Sequence, residues 1–142
     1  MSEIDYLLIG HITADIVPEG RVIGGTVSYA ALTALAFDLA VGVLTSTLTD
    51  EPLLAELGDD VDCVTVDAPQ TTTYENIYTR QGRNQYVRAV ARPLTIDHIP
   101  AKWHDTPLVH LAPIADEVQP EIARLFPNST VMVTLQGWLR RW

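Results

Sequence analysis

Arg21 to Phe37 reads RVIGGTVSYAALTALAF: a pair of glycines, one small polar residue, then a long Ala-rich apolar run. Two glycines ahead of such a run mark a turn into a helix, and the spacing predicts that helix over Thr26 to Ala40. Its apolar positions, among them Val27, Ala30, Ala31, Ala34, Leu35 and Phe37, run nearly all the way round. A helix of this kind is expected to be covered on most sides.

The stretches on either side set the fold class. Tyr6 to Gly10 is a short apolar run ended by glycine, the pattern of a buried strand, and Val41 to Thr45 reads as the next strand. Asp50 to Leu57, closed by Gly58, reads as a short helix with an acidic first turn. Val61 to Val66 is again strand-like, with Cys63 expected as a small buried hydrophobe. Leu108 to Leu111 and Thr130 to Leu135 read as two more strands, with a helix from Asp116 to Phe126 between them. Strands alternating with helices predict an α/β fold, a Rossmann-like and mostly parallel sheet flanked by helices.

One segment breaks the alternation. Thr71 to Arg92, TTTYENIYTRQGRNQYVRAVAR, is rich in Thr, Tyr and Val around Gly82, which is a β-hairpin signature. Tyr74, Tyr78 and Tyr86 could stack on a base or sugar, but aromatics on a two-stranded ribbon more often pack against a partner sheet, and a lone hairpin is marginal in water, so a partner is expected. The strand ahead of Trp142 should in turn be covered by a further helix, so the 142-residue chain reads as cut short.

Composition narrows the function classes. Hydrophobic residues are 47% of the chain and charged ones 19%, below the usual 25% or so, which points to surface meant for a partner. The net charge of −9, from 18 acidic and 9 basic residues, lacks the footprint that holds a phosphate backbone, which argues against nucleic acid. The start, MSEIDYLLIG, has no basic region and only four apolar residues in a row, too few for a signal peptide or a membrane span. With one cysteine and no internal disulfide, a cytoplasmic location and no membrane partner are expected.

Several chemistries fail on spacing. The first strand ends in Gly10-His11-Ile12-Thr13, without the second and third glycines of a dinucleotide fingerprint, and no G-K-[ST] follows any glycine loop. Ser28 lacks the frame of a nucleophile elbow. His11, His98, His104 and His110 have no i, i+3 or i, i+4 partner among themselves or with Cys63, so no metal site is expected. Two candidates survive. Asp15 follows the first strand, where open α/β sheets carry ligand sites, and can accept from two hydroxyls or merely cap a turn. Gly24 and Gly25 put backbone N–H groups within reach of a ligand oxygen, or simply let the backbone pass closely under the helix.

The order of these pieces resembles a known family. Thr13-Ala14-Asp15 after strand one, then IGGTVSYAALTALAF, the Val41 to Thr45 strand, the Thr71 to Arg92 hairpin and VHLAPIADEV together look like the N-terminal half of the ribokinase-like, or PfkB-type, carbohydrate kinases. The resemblance implies a sugar-like substrate held by Asp15 and the Gly24-Gly25 turn, and a hairpin that acts as a lid and pairs with a second subunit's lid. A homodimer through that lid or an exposed sheet edge is the expected assembly. ATP and Mg2+ are implied for the full-length enzyme.

The chain departs from the family pattern in three places. Tyr29 stands where many members have Asn. TLQGWLRRW stands where many sugar kinases have an Asp-x-Asn-x-Arg run, so Gln136 falls on the Asn position, Trp138 on the Arg position, and Arg140 is the candidate for the missing positive charge. The family's catalytic base and nearly all of its ATP site lie in the C-terminal half, so this chain alone is expected to bind no ATP and to be inactive. The rival reading is a non-catalytic α/β binding or assembly module that homo-oligomerises.

Overall fold

The computed structural model describes residues 3–140, so the expectation attached to Trp142 lies outside the described residues. The strands of the described residues form two sheets. The larger is wholly parallel and five-stranded, in the order β5-β4-β1-β8-β9. Its members are β1 (Tyr6–Ile9), β4 (Val41–Leu48), β5 (Val61–Ala68), β8 (Leu108–Leu111) and β9 (Thr130–Val133). β1 lies in the middle, with Leu8 opposite Val43 on one side and His110 on the other.

Alternation along β1 builds two cores, because successive side chains point to opposite faces of a sheet. Tyr6 and Leu8 face helix α1 (Thr26–Leu35) and pack with Val27, Ala31 and Ala34. Leu7 and Ile9 face the other way, onto Leu44, Val109, Trp103 and Ile122. Leu7, Leu8 and Ile9 are fully buried, each contributing about 1.5–3 kcal/mol relative to exposure. Gly42 keeps Trp103 close: a Cβ there would stand 3.3 Å from the indole ring.

The smaller sheet is four-stranded, in the order β3-β2-β6-β7, with β2 (Thr13–Val17), β3 (Gly20–Gly24), β6 (Thr73–Thr79) and β7 (Gly82–Ala89). β2 and β3 form an antiparallel hairpin, β6 and β7 another, and β2 joins them by pairing in parallel with β6. The second hairpin therefore finds a strand partner within its own chain, in a stretch read from sequence only as a loop and a turn. Asp15 sits within strand β2 and not in a loop.

Three helical expectations need correction. α1 ends at Leu35, and the chain turns through Asp38 in the left-handed region at φ 59° before β4. It is covered on one side only: Val27, Ser28, Ala31 and Ala34 are buried, whereas Tyr29 (65%) and Phe37 just beyond it (75%) are exposed. The segments expected as α-helices at Asp50 to Leu57 and Asp116 to Phe126 are 3₁₀ turns, Pro52–Leu57 and Pro120–Leu125. A proline at the start fixes φ for such a turn, and 3₁₀ turns commonly serve as short connectors. Cys63 is half-buried, and burial raises the pKa of its thiol.

Candidate functional site

Where the two sheets meet, the strand ends, the start of α1 and the inner face of the smaller sheet enclose a cavity of about 290 Å³. That is close to the lower end of the range for small-molecule sites, roughly 300–1,000 Å³. Strand alternation decides which side chains reach it. Asp15 is paired with Tyr74, and Asn76 with Gln85, so these four share the inward face along with Thr13 and Arg83.

The seam beneath the cavity is held by buried polar groups. His11 is fully buried; its ring Nε2 lies 2.8 Å from the Arg92 carbonyl and Nδ1 lies 2.6 Å from Thr72 Oγ1. A carbonyl only accepts, so Nε2 carries the proton and Nδ1 accepts the threonine hydroxyl. Burial lowers the His11 pKa, against the opposing pull of Glu117 and the Arg92 carbonyl. Glu117, also buried, accepts from the backbone N–H groups of His11, Ile114 and Ala115 at 2.7–3.1 Å. This fastens the loop after β8 to the loop after β1. Ile114 lines the cavity as a result.

The Gly24-Gly25 turn is shaped by its neighbours. Asp15 is half-buried and its Oδ1 accepts a 2.8 Å hydrogen bond from Thr13 Oγ1. A Cβ on Gly24 would collide with the Asp15 carboxylate and stand 2.7 Å from Thr13 Oγ1. Gly25 caps α1 at φ 92°, a conformation that favours glycine, and a Cβ there would lie 2.7 Å from the His11 carbonyl. Among the described residues no side chain caps this helix; Ser28 donates its N–H to the Gly25 carbonyl at 3.1 Å, and Thr26, the first residue of the helix, lines the cavity together with Asp15.

The last element, α2 (Gln136–Leu139), reaches the cavity from the other side. Gly137 donates its N–H to the Pro113 carbonyl at 2.9 Å, a closeness that leaves no room for a Cβ. Gln136 and Arg140 thereby line the cavity. Arg140 lies 5.6 Å from the centre of the Tyr74 ring and donates to the Ile114 carbonyl at 3.3 Å, while Tyr74 donates its hydroxyl to the same carbonyl at 2.8 Å. Burial raises the Tyr74 pKa, and Arg140 works against that rise.

Of the residues singled out from sequence, Asp15, Gly25, Tyr29, Gln136 and Arg140 line this one cavity, and Gly24 stands beside Asp15 at its edge. Thr13, Thr26, Asn76, Arg83, Gln85 and Ile114 were not singled out as part of it, and Tyr74 only as a hairpin aromatic able to stack on a base or sugar. Period-2 alternation in the hairpin could have flagged Asn76 and Gln85 as same-face residues, but not which face turns inward. Among the described residues no three of His, Cys, Asp or Glu group as metal ligands, and no helix is long and apolar enough to cross a membrane.

Comparison with known proteins places this geometry. No protein-family model and no curated protein matches the chain. Among solved structures it is similar to a pyrophosphate-dependent kinase in the ribokinase family, solved with a pyrophosphate analog and myo-inositol. The identity is 26% and the TM-score 0.75, over 95% of this chain and 50% of that one. It is also similar to a fructokinase from Vibrio cholerae, at 18% identity and TM-score 0.70 over 98% of this chain and 57% of the other. A ribokinase from Arabidopsis thaliana, solved with ribose and ATP, matches at 15% identity and TM-score 0.67 over 94% and 53%. The chain thus spans about half the length of the solved structures it matches, and over that span its fold is that of the ribokinase-like sugar kinases.

Proposed function

We propose that this chain is the acceptor-binding part of a PfkB-type kinase that moves a terminal phosphoryl group onto a hydroxyl of a sugar or sugar-like polyol. The observation that carries this reading is the cavity itself: Asp15 set against the Gly24-Gly25 turn and the uncapped start of α1, under an inward-facing sheet. A carboxylate with two lone-pair-rich oxygens accepts from neighbouring hydroxyls, and glycines let a polyol ring approach the backbone. The matched structures hold myo-inositol in one case and ribose in another, both polyhydroxylated rings.

The donor belongs to the remainder of the enzyme. ATP with Mg2+ is the expected donor, and the likeness to a pyrophosphate-dependent kinase makes pyrophosphate the other. Asp15 is the only carboxylate among the residues lining the cavity, and one carboxylate does not make an octahedral Mg2+ site. Phosphoryl transfer needs a base at the acceptor hydroxyl and fixed positive charge at the transferred group, and this chain supplies the acceptor side alone. In this reading the protein works in the cytoplasm, and the smaller sheet is a lid that pairs with a second copy.

Calorimetric titration tests it. A sugar or cyclic polyol should bind the chain, Asp15→Asn should weaken that binding about tenfold or more, and no phosphoryl transfer should occur. Tight ATP binding to the 142-residue chain would refute the donor placement. A homo-oligomer that binds no polyol would favour the assembly module instead, the reading supported by Tyr78 and Phe37, each 75% exposed.

A further inference from the structure

Charge inside the cavity runs against charge on the chain. The protein carries −9 overall, with twice as many acidic as basic residues. Yet the cavity is lined by two guanidinium groups, Arg83 and Arg140, and one carboxylate, Asp15. The ionisable lining is therefore net positive. A neutral polyol does not call for a net positive lining, since hydroxyls are matched by one carboxylate, amides such as Asn76 and Gln85, and backbone groups.

The two arginines come from opposite sides. Arg83 is on β7, two residues from Gln85 on the inward face, and among the described residues it makes no ion pair. Arg140 follows α2 and is held against the Tyr74 ring with one N–H on the Ile114 carbonyl, which sets the plane of its guanidinium. Three other exposed basic side chains are ion-paired: Arg21 with Glu51, Arg88 with Glu75 and Lys102 with Asp62. Planar guanidinium groups recognise carboxylate and phosphate oxygens through paired charge-assisted hydrogen bonds.

We propose that the acceptor bound in this cavity is an anionic polyol, one that carries a carboxylate or a phosphate monoester besides its hydroxyls, with the anion held between Arg83 and Arg140 and the hydroxyls on Asp15. This rests on reading the cavity as the acceptor site. It adds the class of acceptor: a sugar acid or a sugar phosphate. Because Arg83 rides on the smaller sheet, an anionic ligand also ties that sheet down over the site, whereas a neutral one gives β7 nothing charged to hold. Tyr29, at the mouth of the cavity, offers a single hydroxyl and leaves the charge to the arginines.

Calorimetry on the chain with matched ligands decides it: glucose, gluconate and glucose 6-phosphate, then ribose and ribose 5-phosphate, with inorganic phosphate as the bare anion. A charged member of each set should bind at least about tenfold more tightly than its neutral partner. Gluconate against glucose 6-phosphate tells carboxylate from phosphate. Arg83→Gln, on an exposed strand position where the fold tolerates change, should erase the preference, and Arg83→Lys should restore part of it. Neutral and charged polyols binding alike, with Asp15→Asn weakening both, would overturn this inference and leave the kinase reading standing. Binding of no polyol at all, charged or neutral, would end both. A preference that survives both Arg83→Gln and Arg140→Gln, or inorganic phosphate binding as tightly as the sugar phosphates, would also overturn it.

Discussion

Thr71 Oγ1 donates a 2.6 Å hydrogen bond to Glu51 Oε2, the oxygen that also receives Arg21 Nη2 at 2.7 Å. Thr71 precedes β6, Arg21 is on β3, and Glu51 begins the turn after β4, so one buried carboxylate fastens the smaller sheet to the end of the larger. Burial alone would raise its pKa. The bonds from Thr71, Arg21 and the Leu53 N–H, together with the charge of Arg21, outweigh that and hold the carboxyl below its usual range. A carboxyl lowered on folding stabilises the fold above its unfolded value, near 4.3, and that stability is lost as pH falls through the folded value. Glu51→Gln should cost roughly 1.5–3 kcal/mol at neutral pH by urea unfolding, and the gap to the parent should close below about pH 4. A gap that stays constant through that acid range would contradict the assignment.

The Gly24-Gly25 turn separates binding from stability. Gly24→Ala pushes a methyl into the Asp15 carboxylate and Thr13, so polyol affinity should drop by about tenfold or more while unfolding shifts by only about 1–3 kcal/mol. Gly25→Ala meets the His11 carbonyl at 2.7 Å and must adopt φ 92°, so its cost should exceed that of Gly24→Ala in urea unfolding. Equal costs would mean that the start of α1 relaxes freely.

Much of this architecture is legible in local pattern. YLLI, VGVL and LVHL are buried on both faces of a parallel sheet, and such strands read as unbroken apolar runs. The smaller sheet is not legible in the same way. β2 begins four residues after β1 ends, and its partner in β6 lies 59 residues away, at Tyr74 opposite Asp15. Pairing over that separation leaves no mark on either segment alone. Asn76, Arg83 and Gln85 follow from it, because only the parallel pairing with β2 turns their face toward Asp15. Asp15 and Gly25 stand out by their places at a strand end and a helix-entry turn, whereas Gln136 and Arg140 stand out only through likeness to a family. The end of α1 was hidden because Ala36 and Phe37 continue a helical pattern that the left-handed turn at Asp38 interrupts.

His11 gives the fold a second acid-sensitive point, at higher pH than Glu51. Burial lowers its pKa, so the neutral ring stabilises the fold above the unfolded value of about 6.5, and that contribution is lost as pH falls toward the folded value. His110 is shifted the same way by burial, where it shares a hydrogen bond with the Tyr6 hydroxyl. The thermal midpoint should therefore decline between about pH 6.5 and 5, before Glu51 titrates. Thr72→Val removes the hydroxyl that His11 Nδ1 accepts, and should lower the midpoint across that whole range. A midpoint flat down to pH 5 would show that neither ring is kept neutral by the fold.

The outer face of the smaller sheet carries the last prediction. Ile16 pairs with Glu75 and Glu75 with Tyr86, so Ile16 and Tyr86 share the face turned away from the cavity, and Ile77 lies two residues along it. Their exposures of 37%, 41% and 41% leave an apolar strip on a sheet whose outer strands, β3 and β7, also have open edges. Exposed apolar strips beside open edges favour association, and a second copy of the same sheet offers a surface matched to the first. Light scattering should find a dimer at micromolar concentration. Ile77→Asp should shift it to monomer, since a buried unpaired carboxylate in that contact costs several kcal/mol. A parent chain that is monomeric throughout would remove the lid pairing and leave the strip to some other partner.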